Sequence, residues 1–246
     1  FGPAFGVPQN VLKTLLNQVS FAMAVHDIRY YLNGILFVVE GRQLSLVATD
    51  GHRLAKMAIA APRDSFSMPG IIVPRKTVGL VLDVIKALGK GKRAVPNVKI
   101  WCSASRIRLT IGAVVVTSKL IDGTYPDYER VMPRHNDKRA VVAVKALDDG
   151  VSQVSLISLE KGRAVRMDLS AGAVKLSVTN PDAGSAETTI AADYASEEIS
   201  IGFNARYVQD VLAEIGGDAV EILFNDAGCP ALFNDPADSR FAAVLM

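Results

Sequence analysis

The 246-residue sequence predicts an α+β fold made of two copies of one module, each with two helices laid against antiparallel sheets. Three observations lead there. Four stretches carry apolar residues at helical spacing, short segments rich in β-branched residues lie between them, and the helical stretches recur at regular intervals. The first two stripes start about 65 residues apart and the last two about 60, with the second pair about 130 residues after the first. Half of the residues are apolar and 21% are charged, which is a globular composition.

In chain order, Val11, Leu12, Leu15, Leu16 and Val19 form the first stripe, behind Pro8 and Asn10, which suit a helix start. The strand segments "GILFVVEG", "QLSLVAT" and "RLAKMAIAA" follow. Asp50-Gly51, between the last two, is a favoured pair for a tight hairpin turn in which glycine takes positive φ. Val78, Val81, Leu82, Ile85 and Leu88 form the second stripe, opened by Pro74 and stopped by Gly89. "VKIWCSA", "RIRLTIG" and "VVVTSKL" are the next strands. The segment "TYPDYERVMPRHNDK", with two prolines and dense charge, is the predicted link between the copies. Beyond it, Leu147, Val151, Val154 and Ile157 make the third stripe, before the strands "AVRMDLSAG" and "AVKLSVTN". Tyr207, Val208, Val211, Leu212 and Ile215 make the fourth, with Asn204 as N-cap and Gly216-Gly217 at its end. "AVEILF" and "FAAVLM" are the final strands.

Several function classes fall away. No apolar run approaches the roughly 18–20 residues of a membrane span. The opening "FGPAFGVPQN" lacks the basic start and apolar stretch of a signal peptide. The net charge of +2 does not demand a strongly electrostatic partner. His26, His52, His135, Cys102 and Cys229 are scattered without ligand spacing, so no zinc site is expected. The two cysteines read as buried free thiols in a reducing, cytoplasmic setting.

Three polar stretches invite a chemical reading. "VATDGHRLA" (47–55) places Asp50 and His52 two apart, and local sequence leaves a plain hairpin, an acid–base pair and a recognition surface open. An enzyme would need a nucleophile and an orienting group, and no comparable motif accompanies the pair. "ALGKGKRA" (87–94) lacks P-loop spacing and follows a helix, so it reads as a solvated helix-end loop. Lys86, Lys90, Lys92 and Arg93 are basic enough to border a nucleic-acid path held by charge. "HDIRYYLNG" (26–34) sets Arg29 beside Tyr30 and Tyr31, which suits contact with nucleic acid, an interface, or packing on a domain edge.

Taken together, "RYYLNGILF", "VATDGHRLA", "IIVPRK", "TSKLIDGTYPDYERVMP" and "IGFNARYVQDVL" resemble the bacterial DNA polymerase III β subunits, the β sliding clamps, in order and spacing along nearly the whole chain. The resemblance implies tandem DNA clamp modules, with residues 1–128 as the family's second domain, 129–246 as its third and the first absent. The family's Met-Pro-Met-Arg-Leu-like tail does not follow "FAAVLM" here. The implied function is that of a non-enzymatic processivity factor, a homodimeric ring around double-stranded DNA, without cofactors and off the membrane. Its implied partners are the replicative polymerase, the clamp loader, translesion polymerases, mismatch-repair proteins and ligase, all held through short peptides. The matching positions for the peptide pocket are Leu32, Thr49, Gly51, His52, Arg53, Leu54, Pro126, Arg130, Val131, Asn204, Tyr207, Val244 and Met246, with Arg29 at its edge. His26, Tyr30 and Tyr31 resemble the family's DNA-facing loop, and Arg75, Lys76 and Lys86 add charge beside it. Leu156 and Ile157 match its ring-closing surface.

Overall fold

The computed structural model describes residues 1–65, 68–89, 97–158 and 164–246. Two compact units form, Phe1–Pro126 and Asp127–Met246, and among the described residues each runs through ten α-helices and strands in the same order.

The first unit contains β1 (Phe5–Pro8), α1 (Gln9–Ser20), β2 (Gly34–Glu40), β3 (Gln43–Thr49), β4 (Arg53–Ala60), β5 (Ile71–Pro74), α2 (Arg75–Leu88), β6 (Asn97–Cys102), β7 (Arg106–Ile111) and β8 (Val114–Lys119). Its strands pair antiparallel in the orders β5-β2-β3-β4 and β1-β6-β7-β8. Both helices are amphipathic. α1 buries Leu12, Leu15, Leu16 and Val19, α2 buries Val78, Val81 and Ile85, and each packs on strands of both sheets. Each such side chain contributes roughly 1.5–3 kcal/mol of transfer free energy. At Gly34 the chain needs glycine, because a Cβ there would lie 2.5 Å from the Val73 carbonyl oxygen where β2 meets β5.

The second unit contains β9 (Lys138–Ala143), α3 (Val144–Ser155), β10 (Ala164–Ser170), β11 (Ala173–Asn180), β12 (Gly184–Tyr194), β13 (Ile199–Asn204), α4 (Ala205–Leu212), β14 (Ala219–Phe224), β15 (Ala231–Asp235) and β16 (Asp238–Leu245). Here the strands join in one antiparallel order, β13-β10-β11-β12-β9-β14-β15-β16, because the end of β12 pairs with β9. Phe233, fully buried on β15, meets Phe203 of β13 edge-on at 5.9 Å.

All four anticipated helices and all ten anticipated strands form, and Asn204 caps α4 as expected. Six strands were not anticipated: β1, β5, β9, β12, β13 and β15. β1 and β5 are four-residue strands ending in proline, and β12 opens on Gly-Ser-Ala-Glu and runs through Ala-Ala-Asp, residues that carry little strand signal. Gly89 follows α2, but at φ −66° it keeps helical geometry and is not a left-handed cap. Cys102 is buried, whereas Cys229 is only half-buried, contrary to the expectation for both thiols. In "ALGKGKRA", Lys90, Lys92 and Arg93 lie outside the described residues. Among the described residues no helix is long and apolar enough to cross a membrane.

Candidate functional site

The turn between β3 and β4 is built from its own side chains. Asp50 Oδ1 accepts from the backbone N–H groups of His52 (2.9 Å) and Arg53 (3.0 Å), and Oδ2 accepts from Arg53 Nε (3.0 Å). Thr49 Oγ1 donates to the Arg53 carbonyl (2.7 Å) and accepts from the Gly51 N–H (3.1 Å). Gly51 takes φ 90°, the conformation that the Asp-Gly pair predicts. Both Asp50 oxygens are therefore committed to holding the turn, an Asx arrangement, and neither is aimed at the His52 ring as an acid–base couple requires.

A second loop clasps this turn. Arg29 Nη2 donates to the Asp50 carbonyl (3.0 Å) and to Asp27 Oδ2 (2.8 Å), while its Nε donates to Asp27 Oδ1 (3.0 Å). Asn33 closes the loop at its base, accepting from the Asp27 N–H (3.0 Å) and donating to the Asp27 carbonyl (2.9 Å). A Cβ on Gly51 would stand 2.9 Å from Arg29 Nη1, so glycine also makes room for the guanidinium. Behind the turn the Tyr125 hydroxyl accepts from the Thr49 N–H (3.0 Å), and burial pushes its phenol well above the ordinary range, so it stays neutral. Arg53 lies over the Phe21 ring at 5.4 Å.

The Arg29 side chain and backbone N–H hold the Asp27 carboxyl down to about 2, from an ordinary value of 3.8. A depressed carboxylate stabilises the fold above its unfolded pKa and loses that contribution as pH falls through the folded one. The Asp27–Arg29 clasp is thus expected to be intact above about pH 4 and lost towards about pH 2. The measurement is melting temperature against pH for the parent and Asp27→Asn. Their difference should shrink over that window, and a constant difference would contradict the assignment.

Of the expected pocket residues, Arg29, Gly51, His52 and Arg53 form this connected surface, with Thr49 bonded beneath it and buried. Leu32 and Leu54 are each 1% exposed and lie beneath it, while Pro126 is exposed at the end of the unit.

The second unit carries a groove of about 780 Å³. Arg130, Val131 and Met246, all expected, line it together with Met132, Pro133, Asn136, Cys229 and Pro230, none of which the sequence reading assigned to a pocket. Asn136 Nδ2 donates to the carbonyls of Leu223 (2.8 Å) and Pro230 (2.9 Å), and Lys138 Nζ donates to the Asn225 carbonyl (2.8 Å). These bonds pin the charged link to the turn between β14 and β15. Arg130 pairs with Asp127 at 2.9 Å and Arg134 with Glu129 at 3.7 Å, both exposed enough that each pair contributes at most about 1 kcal/mol. Cys229 Sγ donates to Asp226 Oδ2 (3.2 Å), which raises the thiol pKa and keeps it protonated as a wall atom. The "NDAGCP" turn signal was visible in the sequence, but only packing brings it against residues 132–136.

Three expected pocket residues of this unit stand elsewhere. Val244 has no exposed surface, and Asn204 Oδ1 is engaged by the N–H groups of Arg206 (3.0 Å) and Tyr207 (3.4 Å), with Tyr207 half-buried in the first turn of α4. None of the three lines the groove.

In the loop after α1, His26 holds a left-handed φ of 56°, and Tyr30 meets Tyr31 edge-on at 5.8 Å. Val25 and Ile28 are also exposed there, an apolar tip that the sequence reading passed over. Arg75 is half-buried, its N–H donating to the Asn33 carbonyl (3.0 Å), and Lys76 and Lys86 are exposed on α2. Leu156 is 85% exposed just after α3, and the carbonyl of half-buried Ile157 accepts from Asn180 Nδ2 (2.6 Å). No group of three or more His, Cys, Asp or Glu among the described residues has metal-binding geometry.

Comparison with known proteins finds two family models in tandem. The central domain of the DNA polymerase III beta subunit matches residues 6–127, and its C-terminal domain matches residues 129–246. The beta sliding clamp of Caulobacter vibrioides is 39% identical over 244 residues, covering 98% of this chain and 64% of that protein. The Pseudomonas aeruginosa clamp is likewise 39% identical over 242 residues, 98% of this chain and 64% of that protein. The chain therefore spans less than two thirds of these curated relatives. Among solved structures, a Bartonella birtlesii sliding clamp bound to griselimycin superposes with a TM-score of 0.94 at 43% identity, covering 100% of this chain and 66% of that one. A Pseudomonas aeruginosa DNA polymerase III beta subunit gives 0.93 at 38%, covering 100% of this chain and 65% of that one.

Proposed function

Because the chain belongs to the DNA polymerase III beta-subunit family, the sliding clamps, we propose that it supplies two modules of a ring that encircles duplex DNA and holds other proteins by short peptides. In this reading residues 1–128 are the family's second domain and 129–246 its third. The groove lined by Arg130, Val131 and Met246 is the observation that carries the peptide-binding role. It combines apolar walls with a few fixed polar groups, the chemistry that receives the Leu and Phe side chains of a peptide with a leading Gln. The Arg29-clasped turn of the first unit, with Thr49, Gly51, His52 and Arg53, is a separate rigid surface that family position assigns to peptide contact. Leu32, Leu54 and Val244, all buried, and Pro126, Asn204 and Tyr207 belong to the same set by family position.

The peptides would come from the replicative polymerase, clamp loader, translesion polymerases, mismatch-repair proteins and ligase. His26, Tyr30, Tyr31, Arg75, Lys76 and Lys86 would face DNA, and Leu156 with Ile157 would be the ring-closing surface of the full-length, two-subunit form in the cytoplasm. The chain itself would carry out no chemistry.

The test is titration of a labelled peptide with a leading Gln and trailing Leu and Phe. Arg130→Ala and His52→Ala should each weaken binding about three- to tenfold, without change in the denaturation midpoint. If both variants bind as the parent does, the assignment of these walls is wrong.

A further inference from the structure

The solvent face of the β1-β6-β7-β8 sheet carries a constellation that the ring and its peptide groove do not use. Strand alternation turns Val98, Ile100, Ile107 and Leu109 inward and sends Lys99, Trp101, Arg106 and Arg108 outward. The register sets Trp101 opposite Arg108, Arg108 opposite Thr117, and Arg106 opposite Lys119. Arg108 also lies over the exposed Phe1 ring at 4.6 Å. The result is four cations and two aromatic rings on one face, and the four strands contain no carboxylate.

The second unit shows what an ordinary solvated face looks like in this molecule. There Arg139 pairs with Glu221 (2.6 Å), Arg166 with Asp168 (2.8 Å) and Lys175 with Glu187 (2.7 Å). Among the described residues Lys99, Arg106, Arg108 and Lys119 have no such partner. The contrast extends to whole units. Phe1–Pro126 holds sixteen Lys and Arg against six Asp and Glu, and Asp127–Met246 holds eleven against nineteen, so the overall +2 conceals +10 in one unit and −8 in the other.

Uncompensated cations on one face repel one another and favour a polyanion. Aromatic rings beside them add a surface on which bases stack, which duplex DNA, with its π-faces hidden, does not use. We propose that this sheet face is a binding path for single-stranded nucleic acid, separate from any duplex path and independent of the clamp reading.

Trp101 is the only tryptophan, so its fluorescence reports on this face alone. Titration of the 246-residue chain with an oligodeoxythymidylate of about 12 nucleotides should give saturable quenching at low salt. The affinity should fall with a log–log salt slope of about −2 to −3, as expected for three or four neutralised phosphates. Arg106→Ala with Arg108→Ala should weaken binding at least about tenfold, Arg106→Lys with Arg108→Lys should retain most of it, and Lys175→Ala should leave it unchanged. Absence of quenching overturns the proposal, as does indifference to the double alanine variant. Equal quenching by polyglutamate also overturns it, because the face would then serve acidic polypeptides.

Discussion

Leu54→Glu is expected to unfold the first unit before it reports anything about a ligand. Leu54 is 1% exposed, follows the Arg29-clasped turn directly and pairs with Thr49 across β3 and β4. The substitution removes roughly 2 kcal/mol or more of apolar burial. It also places a carboxylate among apolar neighbours, where it must either take up a proton or remain charged without a partner. Together these effects should exceed about 4 kcal/mol, a large part of the stability of a domain of this size. Urea denaturation followed by far-ultraviolet circular dichroism is the check, with a collapsed or strongly lowered midpoint as the expected result. An unchanged midpoint would show that Leu54 is not a core residue. His52→Ala, two residues earlier on an exposed side chain, should leave the midpoint within about 0.5 kcal/mol of the parent. The pair of variants separates a fold defect from a binding defect on one hairpin.

Phe233→Ala should destabilise the second unit by about 3–5 kcal/mol. Phe233 has no exposed surface and loses its edge-on contact with Phe203 when truncated. β15 sits between β14 and β16, which lead into the β14–β15 turn and to Met246, so a looser β15 also loosens both sides of the groove. The expected outcome is a lowered urea midpoint with weaker peptide affinity at temperatures where the unit is still folded. Phe233→Leu, which keeps most of the volume, should recover most of both losses. A loss confined to affinity, with no loss of stability, would contradict the packing account.

Much of the architecture was legible before any coordinates. The four helices follow from apolar side chains at i, i+3 and i+4, a local pattern that burial then satisfies, and Asn204 and Gly51 act through short-range hydrogen bonding and backbone freedom. β1, β5 and β12 were not legible, because a short or polar strand takes its identity from the neighbour it pairs with. The candidate sites divide along the same line. Asp50 looked like a possible acid, and its sequence neighbours alone suggested a turn, but its three acceptor contacts had to be seen.

Family membership was readable from motifs in register, since those motifs are strings of residue types. Exposure was not readable. Leu32, Leu54 and Val244 look like pocket walls in sequence and are buried, whereas Met132, Cys229 and Pro230 carried no such mark and line the groove. Likewise the cations of β6, β7 and β8 are unremarkable along the chain. Only the pairing of strands lays them on one face without a carboxylate among them. Local chemistry determines helices, turns and caps because their partners lie a few residues away. Surfaces and grooves join residues far apart in the chain, and packing alone brings those together.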